Sequence, residues 1–309
     1  MTPSYSPVRR RLIQALAAFS ASAMSARSIA DDAPAMMKRP IPSSGELLPV
    51  VGLGTYQSFD VGGGPAERDP LREVLRLFVQ QGGTLVDSSP MYGPSESVVG
   101  DLAVELGLIG KLFMATKVWT SGRDAGIRQM EESLRRMKVE RMDLMQIHNL
   151  LDWKTHLATL KQWKAAGRIR YIGITHYHSG AYADLERLMK SKEFEFVQFN
   201  YSIAEREAEE RILPLAHELG IAVIVNRPFA QASLFSRVRG KDMPAWAAEF
   251  DCRSWAQFFL KYILSHPAVT CVIPATGKSQ HLTDNMMAGI GRLPDAAMRK
   301  RMVEHMNSI

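Results

Sequence analysis

Four side chains able to hold, give or steer a proton stand close to the ends of consecutive apolar runs. Asp87 closes the run 84–87, Lys117 lies near the end of 112–118, His148 closes 142–148, and Tyr92 follows Asp87 by five residues. A carboxylate, an ammonium, an imidazole and a phenol together suit the protonation of an oxygen on which negative charge is developing, as on a carbonyl receiving a hydride. Tyr92 is the candidate donor. A tyrosine of ordinary pKa, about 10, holds its proton too tightly for ready reversal at neutral pH, so a cation must favour its phenolate. Lys117 can be that cation. Asp87 would pair with Lys117, fixing its position and making a buried ammonium tolerable. His148 would present a ring nitrogen to the substrate oxygen and orient the carbonyl. Taken singly, each group reads about equally well as structural: a strand-end ion pair, a packed loop tyrosine, a satisfied histidine. Placed together on neighbouring loops, they favour chemistry.

The elements that must hold these groups follow from periodicity. Short runs rich in Val, Ile and Leu at 50–55, 84–87, 112–118, 142–148, 169–175, 194–200, 221–226 and 269–274 alternate with amphipathic segments about fifteen residues long. Val98, Leu102 and Leu106, then Ile127, Met130, Leu134 and Met137, then Ile212, Leu215 and Leu219 recur at helical spacing. Eight strand-helix units predict an α/β chain folded as an eight-stranded parallel β/α (TIM) barrel. An open doubly wound sheet would carry G-x-G-x-x-G after its first strand. Gly52, Gly54 and the later Gly62, Gly63 and Gly64 do not make that pattern. In a barrel the functional groups gather at the C-terminal ends of the strands, which is where Asp87, Lys117 and His148 fall.

The segments VGLGTY (Val51 to Tyr56), VDSSPMYG (Val86 to Gly93), TKV (Thr116 to Val118) and QIH (Gln146 to His148) occur in order on consecutive strands. The set resembles the active-site segments of aldo-keto reductases, and the resemblance runs from about residue 38 to the C-terminus. It implies an oxidoreductase that passes hydride from a nicotinamide cofactor to a small aldehyde or ketone, with Asp87, Tyr92, Lys117 and His148 in the roles given above. It puts Gly54, Thr55, Tyr56 and Asp87 beside the cofactor. Thr175 and His176 fall where the family has a Ser-Asn pair on the nicotinamide carboxamide, and Gln198 matches its glutamine. Asn226 and Arg227 occupy the segment that commonly carries an aromatic ring stacked on the nicotinamide; the Arg227 guanidinium is expected either to lie against that ring or to stand on the surface. Thr276 and Asn285 match the segment that holds the adenosine 2′-phosphate and adenine. Ala275 and His281 replace a lysine and an arginine of many relatives, and Lys278 is the cation left in that loop. The resemblance therefore implies NADP, with NAD as the alternative. Tyr56, Trp119 and Trp153, with His148, are the expected substrate contacts. No metal is expected.

Composition excludes several other classes. At 46% hydrophobic and 23% charged, the chain is that of an ordinary globular protein. The net charge of +6 owes much to residues 1–30, which hold Arg9, Arg10, Arg11 and Arg27 and no acid; taking those four from the 38 basic residues leaves 34 against 32 acidic. Such a body gives no electrostatic footprint for nucleic acid or a membrane surface. The same thirty residues run from Arg9-Arg10-Arg11 through an apolar stretch, 12–24, to Ser28-Ile29-Ala30, too short to span a bilayer. They resemble a bacterial twin-arginine export signal. The expected organisation is a signal peptide at 1–30, a barrel at 31–309 and a periplasmic destination through the export machinery; a basic leader on a cytoplasmic protein is the alternative. Cys252 and Cys271 are too few for a disulfide framework and not spaced as a metal motif. Two other functions compete: a nicotinamide-binding barrel serving as a redox sensor or partner-binding subunit, and a barrel isomerase or lyase. Neither would need the Asp87–Lys117–Tyr92 relay.

Overall fold

Parallel strands covered by helices must be apolar on both faces, and the chain meets that requirement with period two. The computed structural model describes residues 35–309, so the leader expected at 1–30 lies outside the described residues. An antiparallel hairpin, β1 (Lys38–Pro40) and β2 (Leu47–Pro49), comes first. Eight parallel strands follow in sequence order: β3 (Leu53–Gly54), β4 (Leu85–Asp87), β5 (Phe113–Val118), β6 (Met142–His148), β7 (Ile169–Thr175), β8 (Phe196–Asn200), β9 (Ala222–Asn226) and β10 (Val269–Val272). Isolated parallel bridges Val51–Val272 and Gly54–Ala275 join the first of these to the last, so the sheet rounds into the expected barrel.

Two separate clusters mark the two faces. Outward residues such as Val86, Met114, Met145, Ile172, Val197 and Val223 pack under the helices. Inward residues such as Leu85, Phe113, Leu144, Tyr171, Phe196 and Ile224 fill the barrel. Following the inward phase toward the C-terminal ends changes its chemistry: Leu85 gives way to Asp87, Phe113 to Lys117, Leu144 to Gln146 and His148, Phe196 to Gln198. One alternation therefore supplies both the apolar plug and the polar floor above it. Gly173 makes room in the barrel, since a Cβ there would stand 3.0 Å from Gln146 Cγ and 3.2 Å from Phe196 Cβ.

The hairpin, in a stretch whose Pro and Ser content gives no strand signal, stops the N-terminal end. Ile41 and Leu48 belong to the interior cluster, and Tyr171 Oη donates to Glu46 Oε2 at 2.7 Å. The barrel helices are α1 (Pro65–Gln80), α2 (Ser95–Glu105), α3 (Arg123–Arg136), α4 (Trp153–Ala165), α5 (Tyr182–Met189) and α6 (Ile212–Leu219). After β9 come α7 (Ser233–Arg237) and α8 (Trp255–Leu264), and after β10 come α9 (Ser279–Met287) and α10 (Ala296–Ser308). In α1 the buried Leu71, Val74, Leu75 and Phe78 form one stripe, and Pro65 sits in the first turn, where its missing N–H costs nothing. Among the described residues no helix is long and apolar enough to cross a membrane.

Candidate active site

The polar floor is organised by one carboxylate. Asp87, at the end of β4, accepts from Lys117 Nζ at 2.6 Å through Oδ2, and from Gln146 Nε2 at 2.9 Å and Gln198 Nε2 at 3.0 Å through Oδ1. Lys117 Nζ also donates to the Ser88 carbonyl at 2.7 Å. Lys117 is fully buried, and truncating either partner of such a pair costs about 3–5 kcal/mol. Burial alone pulls the ammonium down, but the Asp87 carboxylate and the Tyr92 phenol hold it above the ordinary lysine range, so it stays charged.

Tyr92 lies in the loop after β4, with Lys117 Nζ 5.0 Å from the centre of its ring. Burial pushes the Tyr92 phenol up; Lys117 pulls it back and Asp87 pushes it up again, and the net shift is upward. Lys117 thus offsets part of the effect of burial and does not bring the phenol below its usual value. His148 is 6.1 Å from Tyr92 and 6.2 Å from Trp119, ring centre to ring centre. Burial first, then Lys117 and His176, lower its pKa to about 3, so the ring is neutral throughout the physiological range.

These groups open into a cavity of about 1470 Å³, above the usual 300–1,000 Å³ of small-molecule sites and roomy enough for a dinucleotide with a small substrate. Gly54, Thr55, Tyr56, Asp87, Tyr92 and His148 line one part of it, with Trp119 beside them. Thr175, Gln198, Asn226 and Arg227 line another, and Thr276, His281 and Asn285 a third. Four buried polar atoms on this lining have no partner: Asn149 Oδ1, Asn226 Oδ1, Arg227 Nε and Ser58 Oγ. Unmet groups of this kind are what an amide- and phosphate-bearing ligand would satisfy, so the residues fit a nicotinamide cofactor.

The residues expected at the cofactor differ in their partners and in whether they line this cavity. Gln198 is engaged at both ends, its Oε1 accepting from Thr175 Oγ1 at 3.0 Å and Asn226 Nδ2 at 3.4 Å. Because a carboxylate only accepts, Asp87 fixes the sense of Gln198, and Gln198 with the His176 carbonyl (2.9 Å) fixes that of Asn226. The acceptor left without a partner is therefore Asn226 Oδ1. The His176 ring turns away, stacked 5.3 Å from Tyr177 and edge-on 4.4 Å from His178. Arg227 is half-buried, donating to the Tyr177 carbonyl at 2.9 Å and reaching Glu205 at 3.6 Å. Lys278 is exposed just before α9 and does not line the cavity, although its main-chain N–H donates to Thr276 Oγ1 at 3.1 Å. Trp153 is also absent from the lining. Asp152, in the left-handed region at φ 46, begins α4 and turns Trp153 onto the outer core beside Lys154 and Arg187.

No sequence motif assigns a role to Gln146, Asn149 or Ser89. Gln146 had a signal, since it shares the inward phase of β6 with His148. Ser89 had none, because its partner His148 is 59 residues away, and Asn149 had none, because it lies past the end of β6, where strand periodicity stops. Among the described residues no group of three or more His, Cys, Asp or Glu is placed to hold a metal ion.

A parallel barrel whose C-terminal mouth gathers a buried ammonium, a phenol and a neutral imidazole has the groups needed to move a proton to or from oxygen. The chain belongs to the aldo/keto reductase family, whose model matches residues 50–302. It is 29% identical over 258 residues to methylglyoxal reductase YeaE of Escherichia coli (strain K12), covering 81% of this chain and 89% of that protein. The structure of an aldo-keto reductase from Klebsiella pneumoniae in complex with NADPH superposes with a TM-score of 0.75 at 24% identity, over 87% of this chain and 95% of that one. Aldo-keto reductase AKR11C1 from Bacillus halodurans does so with 0.70 at 23%, over 88% and 96%. At such identities the two structures speak for the fold. Family and site together make the chain a nicotinamide-dependent oxidoreductase acting on carbonyl groups.

Proposed function

We propose that the protein reduces small aldehydes and ketones with NADPH, Tyr92 delivering the proton, and that short 2-oxoaldehydes such as methylglyoxal are its first candidate substrates. The carrying observation is the pinned ammonium: Asp87 holds Lys117 at 2.6 Å, and Lys117 stands 5.0 Å from the Tyr92 ring in a cavity that also presents neutral His148. The bound cofactor supplies the hydride. Asn226 Oδ1 would accept from its carboxamide, while Thr276 and the start of α9 would face its 2′-phosphate. The Tyr92 hydroxyl donates to the carbonyl oxygen as charge grows on it, and Lys117 stabilises the phenolate that remains. Tyr56 and Trp119 offer aromatic walls to a small carbonyl compound, and the likeness to a methylglyoxal reductase supports the same size class.

Purified protein with NADPH or NADH and a panel running from methylglyoxal to aromatic ketones, followed by loss of reduced-cofactor absorbance, tests this reading. We expect NADPH oxidation that depends on the carbonyl, fastest with the small aldehydes. Dependence on no carbonyl in the panel would overturn it. The leader at residues 1–30 is proposed to be a twin-arginine signal that sends the folded enzyme to the periplasm, a reading supported by Arg9, Arg10 and the apolar run at 12–24.

A further inference from the structure

We propose that Ser89 is a positioning residue that decides which nitrogen of His148 carries the proton. Ser89 follows β4 two residues after Asp87 and is fully buried. Its Oγ lies 3.1 Å from His148 Nδ1. The turn holding it there also places the proton donor, because the Tyr92 amide donates to the Ser89 carbonyl at 3.0 Å.

A neutral imidazole has one N–H, and the two places for it leave different debts. With the hydrogen on Nδ1, His148 would donate to Ser89 Oγ and the serine's own hydroxyl hydrogen would need another acceptor. Among the described residues the other hydrogen-bond partner of Oγ is the Met91 amide at 3.5 Å, itself a donor. A buried donor left unmade costs about 1–3 kcal/mol. With Ser89 donating to Nδ1, both groups are satisfied and the hydrogen sits on Nε2. Nδ1 is then occupied within the protein, and Nε2–H is the donor His148 can offer to the cavity it lines. Ser89 thereby makes His148 a second hydrogen-bond donor to the carbonyl oxygen beside the Tyr92 hydroxyl. The other tautomer would turn a lone pair toward an oxygen becoming negative, which opposes the reaction.

The assignment rests on His148 facing the substrate oxygen in the reductase reading, and its test separates the two. The full-length protein, labelled with ¹⁵N at its eight histidines, is examined by NMR between pH 5 and 8, with His148→Gln identifying the signals to follow. We expect Nδ1 to show the shift of an unprotonated nitrogen accepting a hydrogen bond and Nε2 that of a protonated one, unchanged across the range. Ser89→Ala should mix the tautomers and lower kcat about three- to tenfold, the worth of one neutral hydrogen bond, with the NADPH Kd within about twofold of its starting value. Ser89→Thr, which keeps the hydroxyl, should keep the Nε2–H form. A proton on Nδ1 in the unaltered protein, or an unchanged tautomer in Ser89→Ala, would overturn the assignment. The expected tautomer in a protein that turns over no carbonyl would instead sink the reductase reading and leave the role of Ser89 standing.

Discussion

Burial and charge oppose each other at Tyr92, and the balance sets when the phenol gives up its proton. Burial prevails, so the folded pKa lies above the ordinary value of about 10 and the hydroxyl stays a donor at neutral pH. Reduction should lose its donor only as pH rises past that region. His148, at about 3, loses any charge well below neutrality. We therefore predict a kcat profile for reduction that is flat from about pH 6 to 9, with no step near the ordinary histidine value of about 6.5. A step there that disappears in His148→Gln would contradict the neutral ring. Lys117→Met removes the one influence that offsets burial at Tyr92 while keeping an unbranched side chain, and should lower turnover at least about a hundredfold, measured at saturating NADPH.

At the scale of elements, one strand alternation builds two layers, and their costs are separable. Asp87→Asn leaves Lys117 buried without its counter-charge and should lose about 3–5 kcal/mol in urea unfolding; the double variant Asp87→Leu, Lys117→Met should be more stable than Asp87→Asn, since no buried charge remains. Ile41→Ala, in the hairpin that stops the other end, should cost about 2–5 kcal/mol and leave kcat within about twofold, because it empties volume far from the polar floor. This alternation is also why much of the site was legible. Asp87, Lys117 and His148 are inward residues at strand ends, and period two marks them without any knowledge of contacts. The same rule marks Gln146. What periodicity does not carry are directions set after a strand ends. Trp153 leaves through a left-handed Asp152 and packs outside, the His176 ring turns to its neighbours while its carbonyl holds Asn226, and Ser89 finds a partner 59 residues away. The hairpin was hidden because its strands are three residues each, too short for a period to appear.

At the scale of the whole molecule, one cavity is lined both by Tyr92 and His148 and by His281 and Asn285 of α9, and in the proposed reading cofactor choice and catalysis share that space. NADPH should be preferred to NADH; Lys278→Ala should reduce that preference by no more than about fivefold, since an exposed lysine contributes up to about 1 kcal/mol. In the proposed reading, residues 1–30 set where the molecule works. Changing Arg9, Arg10 and Arg11 together to Lys keeps the charge but removes the guanidinium groups, and cell fractionation should then find the protein retained in the cytoplasm; periplasmic protein from that variant would refute the twin-arginine reading. The central claim is that a hydroxyl at Tyr92 protonates the carbonyl. The most direct measurement compares the unaltered protein with Tyr92→Phe, both saturated with NADPH and mixed with methylglyoxal, following reduced-cofactor absorbance, with NADPH affinity measured separately by fluorescence. The account predicts a rate at least about a hundredfold lower in Tyr92→Phe with NADPH affinity within about twofold. An undiminished rate in Tyr92→Phe would contradict it.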